Sequence, residues 1–123
     1  MNCPACESVA LVEEKFEDVA VDRCPQCRGM WLDVLELERL LEADPRGLLK
    51  EDRAFKSASG AEDRRLDCPR CKGTYLIKLN SLIRPGTILD SCTVCHGTWL
   101  DAGEYAQLAR GGLAGRLRNL FGL

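Results

Sequence analysis

The chain has a single histidine and no excess of positive charge: 17 Lys and Arg stand against 19 Asp and Glu, a formal net charge of −2 at pH 7. One imidazole and no paired Ser, His and carboxylate pattern leave little from which to assemble a hydrolytic site. Without basic excess, a general affinity for nucleic-acid phosphates has no obvious source. The opening MNCPACESVA contains no apolar stretch behind a basic start, and no run is long enough to span a bilayer. These absences predict a cytoplasmic protein without a membrane segment, in a reducing environment where cysteines stay as thiols.

Cysteine is what the chain does have. Eight occur in 123 residues, all in C-x-x-C pairs: Cys3/Cys6, Cys24/Cys27, Cys68/Cys71 and Cys92/Cys95. Residues 24–36, CPQCRGMWLDVLE, and residues 92–104, CTVCHGTWLDAGE, agree at seven of thirteen positions. Upstream of each lies a further pair, CPAC and CPRC, so each half reads CPxC, spacer, CxxC-x-Gly-x-Trp-Leu-Asp-x-x-Glu. The spacers are 17 and 20 residues, a difference that a hairpin loop absorbs. This is a tandem duplication with four cysteines per copy and none left over.

Each copy is about 40 residues, a size at which a hydrophobic core alone rarely suffices. In a reducing compartment the staple is a metal, and four thiolates in a closed set suit tetrahedral zinc. The expected cofactor is therefore two zinc ions. Cys3, Cys6, Cys24 and Cys27 would hold one, and Cys68, Cys71, Cys92 and Cys95 the other. Four-thiolate iron and thiol–disulfide exchange are the rivals. Pro4, Pro25 and Pro69 restrict the CxxC turns, while Gly29, Gly73 and Gly97 are candidates for positive φ. CTVCH also satisfies the c-type haem attachment pattern. The first copy has Arg28 in place of His96, so the repeat requires no imidazole, and His96 reads as a solvated knuckle residue.

Asp33-x-x-Glu36 and Asp101-x-x-Glu104 follow capping-box logic, with Leu32/Leu37 and Leu100/Tyr105 in the staple positions. Helix caps account for these acids with less assumption than catalysis does, and no catalytic residue is assigned. The first helix is predicted over VLELERLLEA, with Val34, Leu37, Leu40 and Leu41 on one face. The second, AGEYAQLAR, stops at Gly111-Gly112. Trp31 and Trp99 read as anchors packing each helix onto its own ribbon, the other use of an exposed Trp being to stack on a nucleic-acid base. ESVALVEEKFEDVAVDR and KGTYLIKLNSLIRPGTILDS read as the strands of small hairpins.

CPxC…CPxC-x-Gly-x-Trp-Leu-Asp-x-x-Glu resembles the transcription factor IIB-type zinc ribbon of many small bacterial proteins, across residues 3–42 and 68–108. Thr93 replaces the proline of the last knuckle. The resemblance implies a zinc ribbon fold and zinc at the eight cysteines, and its name implies transcription. The expected fold class is thus α+β: small metal-stapled domains, tandem zinc ribbons of short antiparallel β-hairpins, each followed by a capped α-helix. Residues 1–44 form copy 1, 45–66 a linker, 67–110 copy 2 and 111–123 a C-terminal tail. The linker is either mobile or helical in its first half, through Leu48, Asp52 and Phe55.

Charge is uneven along this plan. Residues 1–44 carry four basic and eleven acidic side chains, net −7; residues 67–110 carry five and four, net +1. Each zinc–tetrathiolate unit adds about −2. A protein partner is expected, with an adaptor role. Nucleic-acid binding through Arg70, Lys72, Lys78 and Arg84 is the alternative, and a membrane is not. In the tail, Leu113, Leu117, Leu120 and Phe121 form one helical stripe, which either packs internally or docks on a partner.

Overall fold

The computed structural model describes residues 1–43, 45–54, 65–80 and 88–110. The first hairpin pairs β1 (Val12–Phe16) with β2 (Val19–Arg23), from Val12↔Arg23 to Phe16↔Val19, and Val19, Val21 and Arg23 alternate inward along β2. Its two-residue turn, Glu17-Asp18, has positive φ at both positions (48° and 71°), the primed geometry that matches strand twist. The second copy repeats the hairpin as β4 (Leu76–Asn80) and β5 (Ile88–Cys92).

A short third strand follows each second knuckle: β3 (Met30–Leu32) and β6 (Thr98–Leu100). These two pair with each other, antiparallel, with Trp31 opposite Trp99. The result is one continuous six-stranded sheet of order β1-β2-β3-β6-β5-β4, in which the copies are related by a pseudo-two-fold axis between β3 and β6. The two hairpins expected from the sequence are present, and the repeat also supplies the seam that joins them.

Helices cover one face of this sheet. α1 (Glu36–Ala43) follows β3, and α3 (Glu104–Arg110) follows β6, as the repeat predicts. A further helix, α2 (Arg46–Asp52), occupies the first half of the stretch between the copies. Leu40, Leu41, Leu48, Tyr105 and Leu108 from the helices share a buried cluster with Val19, Val21, Met30, Leu32, Leu89 and Leu100 from the sheet. Leu40 and Leu41 are buried as the stripe predicts, but Val34 is 57% exposed: it precedes the first helical turn and faces out. Residues 55–64 of the linker (Phe55 among them), Arg84 and the tail 111–123 lie outside the described residues.

The opposite face holds the second buried cluster, Cys3, Cys24, Trp31, Leu66, Cys68, Leu76, Cys92 and Trp99. The tryptophans therefore do not anchor the helices to the ribbons. Adjacent residues of a strand point to opposite faces, so Met30 and Leu32 meet the helices while Trp31 turns toward the cysteines. Each indole instead lies against the other copy. A Cβ on Gly29 would fall inside the ring of Trp99, and one on Gly97 inside the ring of Trp31. These glycines admit a neighbouring ring, and neither has positive φ, contrary to the expectation for Gly29 and Gly97. Gly73 does adopt it, at 83°. Among the described residues no helix is long and apolar enough to cross a membrane.

Candidate metal centres

Three of the four knuckles are tight turns closed by their own backbone. Glu7 N–H donates to the Cys3 carbonyl (2.8 Å), Arg28 N–H to that of Cys24 (3.0 Å) and His96 N–H to that of Cys92 (2.9 Å). The residue that turns the chain away has positive φ: Glu7 at 63°, Arg28 at 64° and His96 at 62°. His96 is exposed and belongs to neither cysteine group, in keeping with its reading as a solvated knuckle residue. The turns also aim amides at sulfur. Cys6 N–H donates to Cys3 Sγ (3.3 Å), Cys27 to Cys24 (3.4 Å), Cys71 to Cys68 (3.2 Å) and Cys95 to Cys92 (3.5 Å). Such donors stabilise thiolate over thiol.

The fold brings all eight predicted cysteines together in two sets. Cys3, Cys6, Cys24 and Cys27 form one and Cys68, Cys71, Cys92 and Cys95 the other, with the sulfurs of each set within 4.8 Å of one another. All eight are free of disulfide bonds. Sulfurs at the corners of a tetrahedron with Zn–S bonds of ~2.3 Å are ~3.8 Å apart. The separations here are 3.7 Å for Cys3–Cys27, and 3.8 Å for Cys6–Cys24 and for Cys68–Cys95. The donor sets thus fit two zinc ions, four thiolates to each.

Burial and crowding split the thiols electrostatically. Burial pushes Cys3 up to about 11 and Cys68 up to about 12. Burial also acts on Cys24, but amides of Cys27 and Gln26 and the neighbouring thiols outweigh it and bring the group down to about 7. The second copy matches: amides of Cys95 and Val94, with Cys68 and Cys95, bring Cys92 to about 7 against burial. One thiolate per set thus forms readily near neutral pH. A dication drives the others to deprotonate, so zinc affinity and proton release are linked.

The acids of the repeat are engaged around the helix starts. Glu36 Oε1 accepts from the Asp33 amide (2.8 Å) and Glu104 Oε1 from the Asp101 amide (2.6 Å), the back-reaching half of a capping box. The Asp side chains differ between copies. Asp101 Oδ1 accepts the Trp99 indole N–H (3.0 Å), whereas Asp33 Oδ1 accepts from Arg70 of the other copy (2.8 Å) and the buried Trp31 indole N–H has no partner. Arg70 replaces Ala5 of the first copy, so one substitution within the repeat breaks its symmetry.

Two further roles left no motif in the sequence. Fully buried Asp52 accepts from the amides of Gly103 (2.9 Å) and Ala106 (2.8 Å), closing the start of α3 from the end of α2. Fully buried Arg23 ion-pairs with Glu14 (3.6 Å) and Glu51 (3.3 Å); Glu51 also binds Arg28 (2.8 Å), tying α2 to the second knuckle of copy 1.

Two hairpin-borne four-cysteine centres, each followed by a short strand and helix, define a tandem zinc ribbon protein. A family model described as "Transcription factor zinc-finger" matches residues 2–43 and 67–111, one copy each. The chain belongs to that family. Neither the comparison with curated proteins nor that with solved structures returned a match.

Proposed function

We propose that this chain is a non-enzymatic adaptor, cytoplasmic and associated with transcription, in which zinc held by all eight cysteines fixes a rigid surface for a protein partner. The observation that carries the reading is that, among the described residues, the cysteines and buried acids already have structural partners. Four thiolates around each zinc leave no open position for water or substrate. The buried acids serve structural ends: Asp52 closes α3, Glu104 bonds the Asp101 amide and Asp90 pairs with Lys78 at 2.8 Å. Residues 1–44, 45–66, 67–110 and 111–123 then act as copy 1, connector, copy 2 and tail.

The surface best suited to a partner is the cleft between the N-terminal knuckles of the two copies. It encloses about 570 Å³ and is lined by Asn2, Pro4 and Glu7 on one side and Arg65, Asp67 and Lys72 on the other. Its mixed charge suits a polar peptide segment better than a phosphate backbone. The nucleic-acid alternative loses two of its four cations, because Arg70 and Lys78 are paired with Asp33 and Asp90. Affinity capture by the zinc-loaded chain from its own cell extract tests the reading. A protein retained by the native chain and lost with Lys72→Glu supports it. Recovery of nucleic acid alone, released by moderate salt, contradicts it.

A further inference from the structure

Among the described residues, the pseudo-two-fold relation leaves one position filled on one side and unfilled on the other. α2 straddles the seam: Glu51 binds Arg23 and Arg28 of copy 1, while Asp52 bonds the amides of Gly103 and Ala106 at the start of α3 in copy 2. Under the repeat, Cys24 corresponds to Cys92, so Arg23 and Arg28 correspond to Ser91 and His96, and Gly103 and Ala106 to Leu35 and Glu38. The equivalent groove therefore runs between β4–β5 and the start of α1. No described element fills it. Beside the polar Ser91, His96 and Glu38 stand exposed apolar side chains: Val34 is 57% exposed, Leu35 56% and Leu79 46%. In the filled groove their α3 counterparts Ala102 and Gly103 are half-buried and buried, and the place of Leu79 belongs to Glu14, a member of the Arg23–Arg28–Glu51 ion-pair cluster.

We propose that residues 114–121 fill this groove as the counterpart of α2. The same offset that relates α1 to α3 sets Arg46–Asp52 against residues 114–120, RGLLKED against AGRLRNL. Gly47 matches Gly115, Leu49 matches Leu117, and basic Lys50 matches Arg118. The differences follow the change of groove. Asp52 faces the amides of Gly103 and Ala106; its counterpart Leu120 would meet Leu35 and Glu38. Glu51 faces two arginines; its counterpart Asn119 would meet Ser91 and His96. The inward positions of α2, Pro45, Leu48, Leu49 and Asp52, become Leu113, Arg116, Leu117 and Leu120, three of them apolar. Arg116 in place of Leu48 has no explanation in the structure. An apolar strip of this kind finds its burial against exposed apolar side chains. The inference is independent of the partner reading, which concerns the cleft at the knuckles.

The test compares the zinc-loaded full chain with a variant lacking residues 112–123. Deletion should lower Tm by several degrees with both zinc ions retained, and amide NMR shifts should concentrate at residues 34–38 and 77–79. Leu35→Asp and Leu120→Asp should each lower Tm in the full chain, and Leu35→Asp should have little further effect once the tail is gone. Additive losses, unchanged Tm, or shifts elsewhere would overturn the proposal. So would a full-length dimer that deletion turns into a monomer, because the occupant would then be the tail of a second copy.

Discussion

Glycine and tryptophan at the centre of the repeat form an exchange between copies. Trp31 and Trp99 are fully buried, each ring filling the space left by a glycine of the other copy. Both residues were plain in the sequence as invariants of the duplicated motif, but their partnership was not, because nothing local says that a residue packs against its own repeat. A Gly-x-Trp written twice is in retrospect the available signal, because glycine is one of the residues that admit a close neighbour. Gly97→Ala should destabilise the protein by about 1–3 kcal/mol, the usual scale for overpacking a tight core. Thermal unfolding at equal zinc content measures it. An unchanged Tm would mean the seam is looser than the packing indicates.

At the scale of elements, hairpins and helices were legible because they rest on local chemistry: short β-branched and aromatic runs, C-x-x-C turns and Asp-x-x-Glu starts. α2 was legible only as half of a mixed-charge linker. Its role depends on Asp52 reaching α3 fifty-one residues away, a contact no sequence window contains. The starts of α1 and α3 also draw a glutamate inward, Glu36 and Glu104. Burial, reinforced by Asp101 and Asp90, pushes Glu104 up to about 8 against the opposing Asp101 amide and Lys78. Its folded pKa exceeds the ordinary value, so the folded chain holds the extra proton. The associated stability is complete below about pH 4.5 and is lost as pH rises through 8, at a slope of no more than roughly 1.4 kcal/mol per pH unit for one proton. Glu104→Gln keeps the acceptor for the Asp101 amide and removes the titration. Between pH 6 and 8.5 the zinc-loaded variant should show a flatter stability profile than the native chain. Parallel profiles would place the titration elsewhere.

As a whole molecule, the chain is two ribbons made into one body. Both buried clusters draw residues from both copies, and the Tyr105 hydroxyl reaches the Leu40 carbonyl across the axis (3.5 Å). Units of ~40 residues too small to stand on a core of their own thus gain a shared core in addition to a metal. The cysteines alone predicted the two metal sets, because ligand chemistry is written in residue type and spacing. The pairing of the copies depends on shape, which spacing does not record. Zinc binding contributes ~10–16 kcal/mol in small units of this kind. The most direct test is elemental analysis, with native mass spectrometry, of protein purified without added metal. Two zinc ions per chain are predicted, one for Cys3, Cys6, Cys24 and Cys27 and one for Cys68, Cys71, Cys92 and Cys95. One zinc per chain, or iron in its place, would contradict the account.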